Sequence, residues 1–311
     1  MQTSYRFSAP GRTEISGNHT DHQHGCVLAA AVDLETTAEV TLRPDPIIRV
    51  ASEGYAPVEI DLNDLSVHEA EKNTTAALVR GVAAAFVQRG CQLRGFDATV
   101  RSTVLPGSGL SSSAAFEVLI GTICNELFFD RKCSAVEIAQ IGQYAENVYF
   151  GKPCGLMDQM ACARSGAVYL DLAAGEILPV AAPFAAMGLT LSLTDTGGSH
   201  AGLTAAYAAI PADMHSVARR FGAETLSQVD PADFFAHRQP GLADDRAAHF
   251  FAENARVPQM RDALARRDAG EYLRLMNASG RSSEQLLRNI QVPGGDDRLA
   301  RGLACASALL D

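Results

Sequence analysis

Short alternating and apolar runs crowd the first third of the chain. Residues 4–8, 35–42, 47–51, 58–61 and 95–103 read as β-strands. The last is the clearest: Phe96, Ala98 and Val100 fall on one side, and Asp97, Thr99 and Arg101 on the other. Between these runs, residues 74–89 place Ala77, Leu78, Val82 and Phe86 on one helical face. Residues 111–129 and 134–149 continue in helical pattern, the second opened by Ser134 as N-cap with Glu137 as its capping-box partner. From about Ser165 the pattern changes. Strands are expected at 167–170 and 189–194. After Thr196-Gly197-Gly198 come helices at 201–209, 214–221, 246–267, 271–289 and 297–310, with a short surface loop at 240–245. Strands early and helices late define an α+β protein, without the strict alternation of a doubly wound sheet. A boundary near 163–166 divides it into domains 1–165 and 166–311. No internal repeat or low-complexity segment interrupts them.

The composition is that of a globular protein, with 47% apolar and 20% charged residues and a formal net charge of −10. An acidic balance argues against nucleic acid as partner, but a few backbone amides and cations still suffice for a nucleotide. The seven cysteines include no CxxC pair and read as reduced thiols of a cytoplasmic protein. Neither a zinc motif, a signal peptide nor a membrane span is recognisable.

Three stretches carry candidate chemistry. Pro106-Gly107-Ser108-Gly109-Leu110-Ser111-Ser112-Ser113 joins an expected strand to an expected helix. Two glycines let the backbone approach a ligand, three hydroxyls follow, and first-turn amides favour anions. The same residues also suit a plain turn with Ser111 as N-cap. Neither the P-loop nor the dinucleotide fingerprint fits. The second stretch, residues 10–25, is dense in hydrogen-bonding side chains: Arg12, Asn18, His19, Asp21, His22 and His24 among them. Such a segment suits a polar ligand such as a sugar, or an exposed loop; its histidines lack metal-ligand spacing. In the third, Glu146 and Asp158 lie twelve residues apart across a Gly/Pro-broken segment. Phosphoryl transfer needs a carboxylate on Mg²⁺ and often one at the attacking hydroxyl, yet two unrelated carboxylates would look the same.

Together these stretches resemble the GHMP kinase family, and within it the galactokinase branch. Gly11-Arg12, Gly17 and His19-Thr20-Asp21 are similar to the galactokinase signature, residues 106–115 to the phosphate loop, and residues 146–159 to the segment with the catalytic acid. The resemblance implies a ribosomal-S5-like N-terminal domain and a ferredoxin-like, helix-rich C-terminal one. It implies a kinase moving the γ-phosphoryl group of ATP to the anomeric hydroxyl of a hexose, galactose first. Asp158 and Arg12 would be catalytic. Asn18, His19, Asp21, Gly155 and Tyr207 would face the sugar, the loop 106–113 would hold ATP, and Glu146 with Ser112 or Ser113 would ligate Mg²⁺. No nucleic acid or membrane partner is implied, and the state expected is a monomer or weak dimer. Two departures qualify the picture. Asn18 stands where galactokinases carry Glu, and His22-Gln23 where they carry Tyr-Asn, which keeps galacturonate or another sugar open as acceptor. The chain stops at Asp311, about where a third Gly-rich motif follows in the family. A truncated C-terminal domain is therefore expected, with a non-catalytic sugar and ATP sensor as the other reading.

Overall fold

The computed structural model describes residues 3–105, 107–164, 166–196, 204–290 and 296–310. The chain forms two compact units: Met1–Thr13 with Ala30–Gly166, and Glu14–Ala29 with Ala167–Asp311. Strands β1 (Ser4–Ser16) and β2 (Cys26–Leu42) pair with each other and contribute residues to both units.

In the first unit, β2 pairs antiparallel with β5 (Phe96–Ser102), which pairs in parallel with β3 (Ile47–Ser52). β3 in turn pairs antiparallel with β4 (Val58–Asp61). The registers Ala38↔Val100, Val40↔Ala98, Ile48↔Phe96 and Ile48↔Ile60 line up one buried face. That face shares a core with Val82 and Phe86 of α1 (Thr75–Gln88) and with Leu119, Ile120 and Ile123 of α2 (Ser112–Phe128). Thr74 caps α1 by accepting from the Ala77 amide, and Ser134 opens α3 (Ala135–Tyr144) with the expected two-way capping box to Glu137. α3 runs without a break into a π-helical turn, Ala145–Phe150, that ends at Gly151 (φ 85°). α1 comes close to this turn because Gly81 has no side chain: a Cβ there would lie 2.8 Å from Ala145 Cα. α4 (Met157–Ala163) follows.

In the second unit, β6 (Ala167–Asp171) pairs antiparallel with β7 (Glu176–Val180). β7 is an edge strand, where Pro179 costs no ladder bond that matters. The helices are α5 (Thr204–Arg220), α6 (Pro231–Ala236), α7 (Leu242–Arg266), α8 (Ala269–Ser282) with a π-helical extension Ser283–Leu287, and α9 (Arg298–Leu310). Met214, Val217, Phe234, Phe250 and Leu287 form the core.

Several elements differ from the pattern-based expectation. The strand expected at 189–194 is absent; those residues have no regular structure and are mostly exposed, since alternation yields a strand only where an edge accepts it. The two helices expected at 201–209 and 214–221 are one helix through Pro211, because buried Ile210, Met214 and Val217 hold it together across the lost hydrogen bond. Residues 201–203 lie outside the described residues. α7 starts inside the expected loop at 240–245, and α4, α6 and β7 went unforeseen. β1 continues through the polar residues 10–16 and β2 begins at Cys26, since strand pairing satisfies their backbone whatever the side chains.

Candidate active site

The first unit gathers the glycine-serine loop, Arg12 and both carboxylates. Gly107 (φ 74°) and Gly109 (φ 79°) turn left-handed, where side chains are costly. Ser111 also turns left-handed (φ 57°), at the start of α2, and does not cap the helix. Its hydroxyl instead donates to Asp158 Oδ2 at 2.5 Å. Arg12 holds the other side: Nε donates to Asp158 Oδ1 at 2.7 Å and Nη2 lies 2.7 Å from the same oxygen. Arg12 Nη1 donates to the Gly109 carbonyl at 2.5 Å, and the Arg12 amide to the Leu110 carbonyl at 3.0 Å. Strand β1 can approach the loop this closely because residue 11 is glycine; a Cβ there would meet Val104 and the Leu110 carbonyl at 3.0–3.1 Å. Ser108 folds back on its own loop, donating to the Leu105 carbonyl. Pro106 lies outside the described residues.

Glu146 sits in the π-helical turn, 2% exposed. Its Oε1 accepts from Ser113 (3.3 Å) and Lys152 (3.0 Å), and its Oε2 accepts from Gln159 (2.8 Å). Ser112 opens α2 one residue earlier. Gln159 also donates to Glu117 Oε2 at 3.0 Å, bridging two carboxyls. Glu117 is almost wholly buried and its pKa is raised well above the usual value, first by burial and then by the Glu146 charge. Burial opposes the Lys152 charge, yet Glu146 beside it leaves the ammonium pKa raised. Gly155 lies in the connection between the π turn and α4.

Of the expected sugar residues, Asn18, His19, Asp21 and Tyr207 lie in the second unit, whereas Gly155 belongs to the first. Asp21–Gln23 form a short 3₁₀ turn, with Asp21 Oδ1 accepting from the His22 amide at 2.9 Å. The His19 ring lies 4.7 Å from the Tyr207 ring and 5.6 Å from that of His22. His19 is 5% exposed and its pKa falls to about 3, chiefly through burial, then through the charges of His22, His249 and Arg246. A neutral imidazole results, and among the described residues its Nδ1 has no hydrogen-bond partner. Asn18 Nδ2 donates to Ser283 Oγ at 3.0 Å.

Sequence reasoning missed Lys152, Gln159 and Glu117, although a lone Glu inside the apolar run of α2 was a legible signal of a buried carboxyl. It also missed His249, Glu253 and Asn254 of α7, which hold the segment around Asn18 and whose spacing has no meaning until α7 lies against that segment.

Phosphate-type anions suit a loop of left-handed glycines that opens a helix, and an Arg-held carboxylate beside it suits a hydroxyl acceptor. Two family models match: GHMP kinases N terminal domain over residues 77–166, and the galactokinase galactose-binding signature over residues 2–42. The Methanococcus jannaschii mevalonate kinase structure shares the fold, with TM-score 0.62 at 12% identity over 94% of this chain and 81% of that one. The fold is therefore that of the GHMP kinases. Lactococcus lactis galactokinase, solved in complex with galactose, superposes with TM-score 0.76 at 25% identity, covering 91% of this chain and 75% of that one. A curated galactokinase of Actinobacillus pleuropneumoniae serotype 3 (strain JL03) is 34% identical over 285 residues, 87% of this chain and 72% of the relative. One from Glaesserella parasuis serovar 5 (strain SH0165) is 32% identical over 287 residues. The chain belongs to the galactokinase family. Among the described residues, no helix is long and apolar enough to cross a membrane.

Proposed function

We infer that this protein is a sugar kinase that transfers the γ-phosphoryl group of ATP to the anomeric hydroxyl of galactose. The observation that carries this reading is the pairing of Asp158 with both Arg12 and Ser111, next to Gly109. One carboxylate oxygen is held by the guanidinium and the other by the hydroxyl, which fixes the plane of the acid.

ATP is held with its phosphates along residues 107–113, where the glycine turns and the first amides of α2 face the anion. Asp158 orients the attacking hydroxyl and takes its proton as the O–P bond forms; the bond from the γ-phosphorus to the β,γ-bridging oxygen breaks and ADP leaves. Arg12, shared between Asp158 and the loop, places positive charge where charge spreads over the transferring group. Little covalent help is required, since positioning and charge neutralisation dominate this chemistry.

Glu146 and Ser113 fit Mg²⁺. Both are hard oxygen donors, and an ammonium already rests on the same Glu146 oxygen. Mg²⁺ commonly takes one or two protein ligands and completes its shell with water and phosphate oxygens; bound here it supplies charge neutralisation at the phosphates. Asn18, His19, Asp21 and Tyr207 bind the sugar, a role supported by the orphaned Nδ1 of His19, a buried polar atom that a sugar hydroxyl would satisfy.

The test is ADP release with galactose, galacturonate, glucose, N-acetylgalactosamine and arabinose. Turnover with galactose above the rest is expected. Galacturonate is the informative competitor, because residue 18 carries an uncharged amide. ADP release with none of the five would reject the reading.

A further inference from the structure

We propose that helix α7 splints the sugar-binding segment, making His249, Glu253 and Asn254 positioning residues for sugar affinity. The proposal rests on the reading that residues 18–21 bind the sugar. All the groups concerned lie in the second unit.

The segment from Ser16 to Cys26 is polar and folds as a series of tight turns around the 3₁₀ turn Asp21–Gln23. Short-range contacts shape the turns: Thr20 Oγ1 donates toward the Gly17 and Cys26 carbonyls, the Thr20 amide donates to the Gly17 carbonyl, the Gln23 and Gly25 amides to the Thr20 carbonyl, and the His24 amide to the Asp21 carbonyl. Its two ends are gripped from α7. At the entry, Glu253 Oε1 accepts from Ser16 Oγ at 2.7 Å and from the Gly17 amide at 3.1 Å. One turn earlier, His249 Nε2 lies 2.9 Å from the carbonyl of Asn18 itself. A carbonyl only accepts, so Nε2 carries the proton, and Nδ1 accepts from Ser282 Oγ at 2.8 Å. At the exit, Asn254 Oδ1 accepts from the Cys26 amide at 2.6 Å. The exit end seats without a gap because residue 25 is glycine: a Cβ there would lie 2.7 Å from Asn254 Oδ1 and 2.8 Å from Phe250.

His249 and Glu253 are four residues apart and project from one face of α7, while Asn254, the next residue after Glu253, projects from the adjoining side and reaches the other end of the segment. Glu253 is fully buried, and its carboxylate is further satisfied by Ser279 Oγ at 2.6 Å and by Arg256. Burial works against its charge, but Ser279, Arg256 and Ser16 outweigh it and lower its pKa. Burial lowers the pKa of His249, which favours the neutral ring. A buried acid, a buried imidazole and an amide all spent on one polar segment are expensive as mere fold stabilisers. They are economical as a device that prevents the segment from having to be ordered by the sugar.

The experiment compares His249→Ala, His249→Gln, His249→Asn and Asn254→Ala in the full chain. It reads galactose KM, ATP KM and kcat, galactose Kd by calorimetry, and the melting temperature. Gln reproduces a donor at the Nε2 position and Asn at the Nδ1 position. His249→Ala, His249→Asn and Asn254→Ala are expected to raise galactose KM and Kd about tenfold, leaving ATP KM nearly unchanged. His249→Gln is expected to stay within about threefold of the parent. Unchanged galactose affinity in the folded variants overturns the proposal. So does a parallel loss of galactose and ATP affinity that tracks the melting temperature. Should His249→Ala fail to fold, the Gln and Asn pair decides: equal behaviour of the two is against the splint. A parent protein that binds no galactose overturns the functional reading instead.

Discussion

Arg12 and Asp158, 146 residues apart in the chain, meet through two guanidinium nitrogens at 2.7 Å on one carboxylate oxygen. The second oxygen is taken by Ser111. The acid thus has a fixed orientation before any sugar arrives, and its surroundings belong to the loop that would carry ATP.

Asp158→Asn keeps the shape and removes the proton acceptor. It is expected to lower kcat on the order of 10²-fold or more, with ATP binding retained. Steady-state ADP release together with nucleotide titration checks this; near-parent turnover removes Asp158 from the mechanism.

Ser111 combines a left-handed backbone with a hydrogen bond to the acid. Ser111→Gly relieves the backbone cost and Ser111→Ala keeps it. The Gly variant is expected to be the more stable of the two by about 1 kcal/mol, while both turn over more slowly than the parent. Denaturant melts and kcat of the pair test this, and a more stable Ala variant would contradict the strained backbone.

Glu117 titrates above the usual 4.5 because it is buried beside Glu146. The folded protein therefore binds this proton more tightly than the unfolded chain, and stability falls as pH rises from about 4.5 towards the folded pKa. Glu117→Gln preserves an oxygen to accept from Gln159 and has no proton to lose. The variant is expected to gain on the parent in melting temperature as pH rises above the usual 4.5. Parallel pH curves would show that Glu117 is not the titrating group.

Glu146→Gln weakens a hard-oxygen ligand without emptying the pocket. The Mg²⁺ concentration for half-maximal rate is expected to rise about tenfold or more, with galactose Kd by calorimetry unchanged. An unaltered Mg²⁺ dependence would place the ion elsewhere.

Gly25→Ala forces a methyl group into Asn254 and Phe250. A loss of about 1–3 kcal/mol is expected in urea unfolding. No loss would mean that the segment has room to move off α7.

Much was legible in the residues themselves. The strand at 58–61 and the cores of β3, β5, α1 and α2 follow from hydrophobic period, and the Ser134–Glu137 box from local chemistry. The loop at 107–113, Arg12, Glu146 and Asp158 stood out because their residue types are dense and specific. Other features were decided by tertiary contact. Ser111 suited an N-cap, but Asp158 offered its hydroxyl a charged partner, so the helix start went uncapped. Residues 189–194 alternate without finding an edge, whereas 176–180, with a proline, found one.

Local sequence thus determined most of the helices and strands of the first unit and which residue types are available for phosphate and sugar chemistry, because period and side-chain chemistry act over a few residues. Tertiary structure decided which of those groups are joined: Arg12 to Asp158, Gln159 between two carboxyls, α7 to the segment at 16–26. Hydrogen bonds and burial couple groups by distance in space, and chain separation carries no record of that distance.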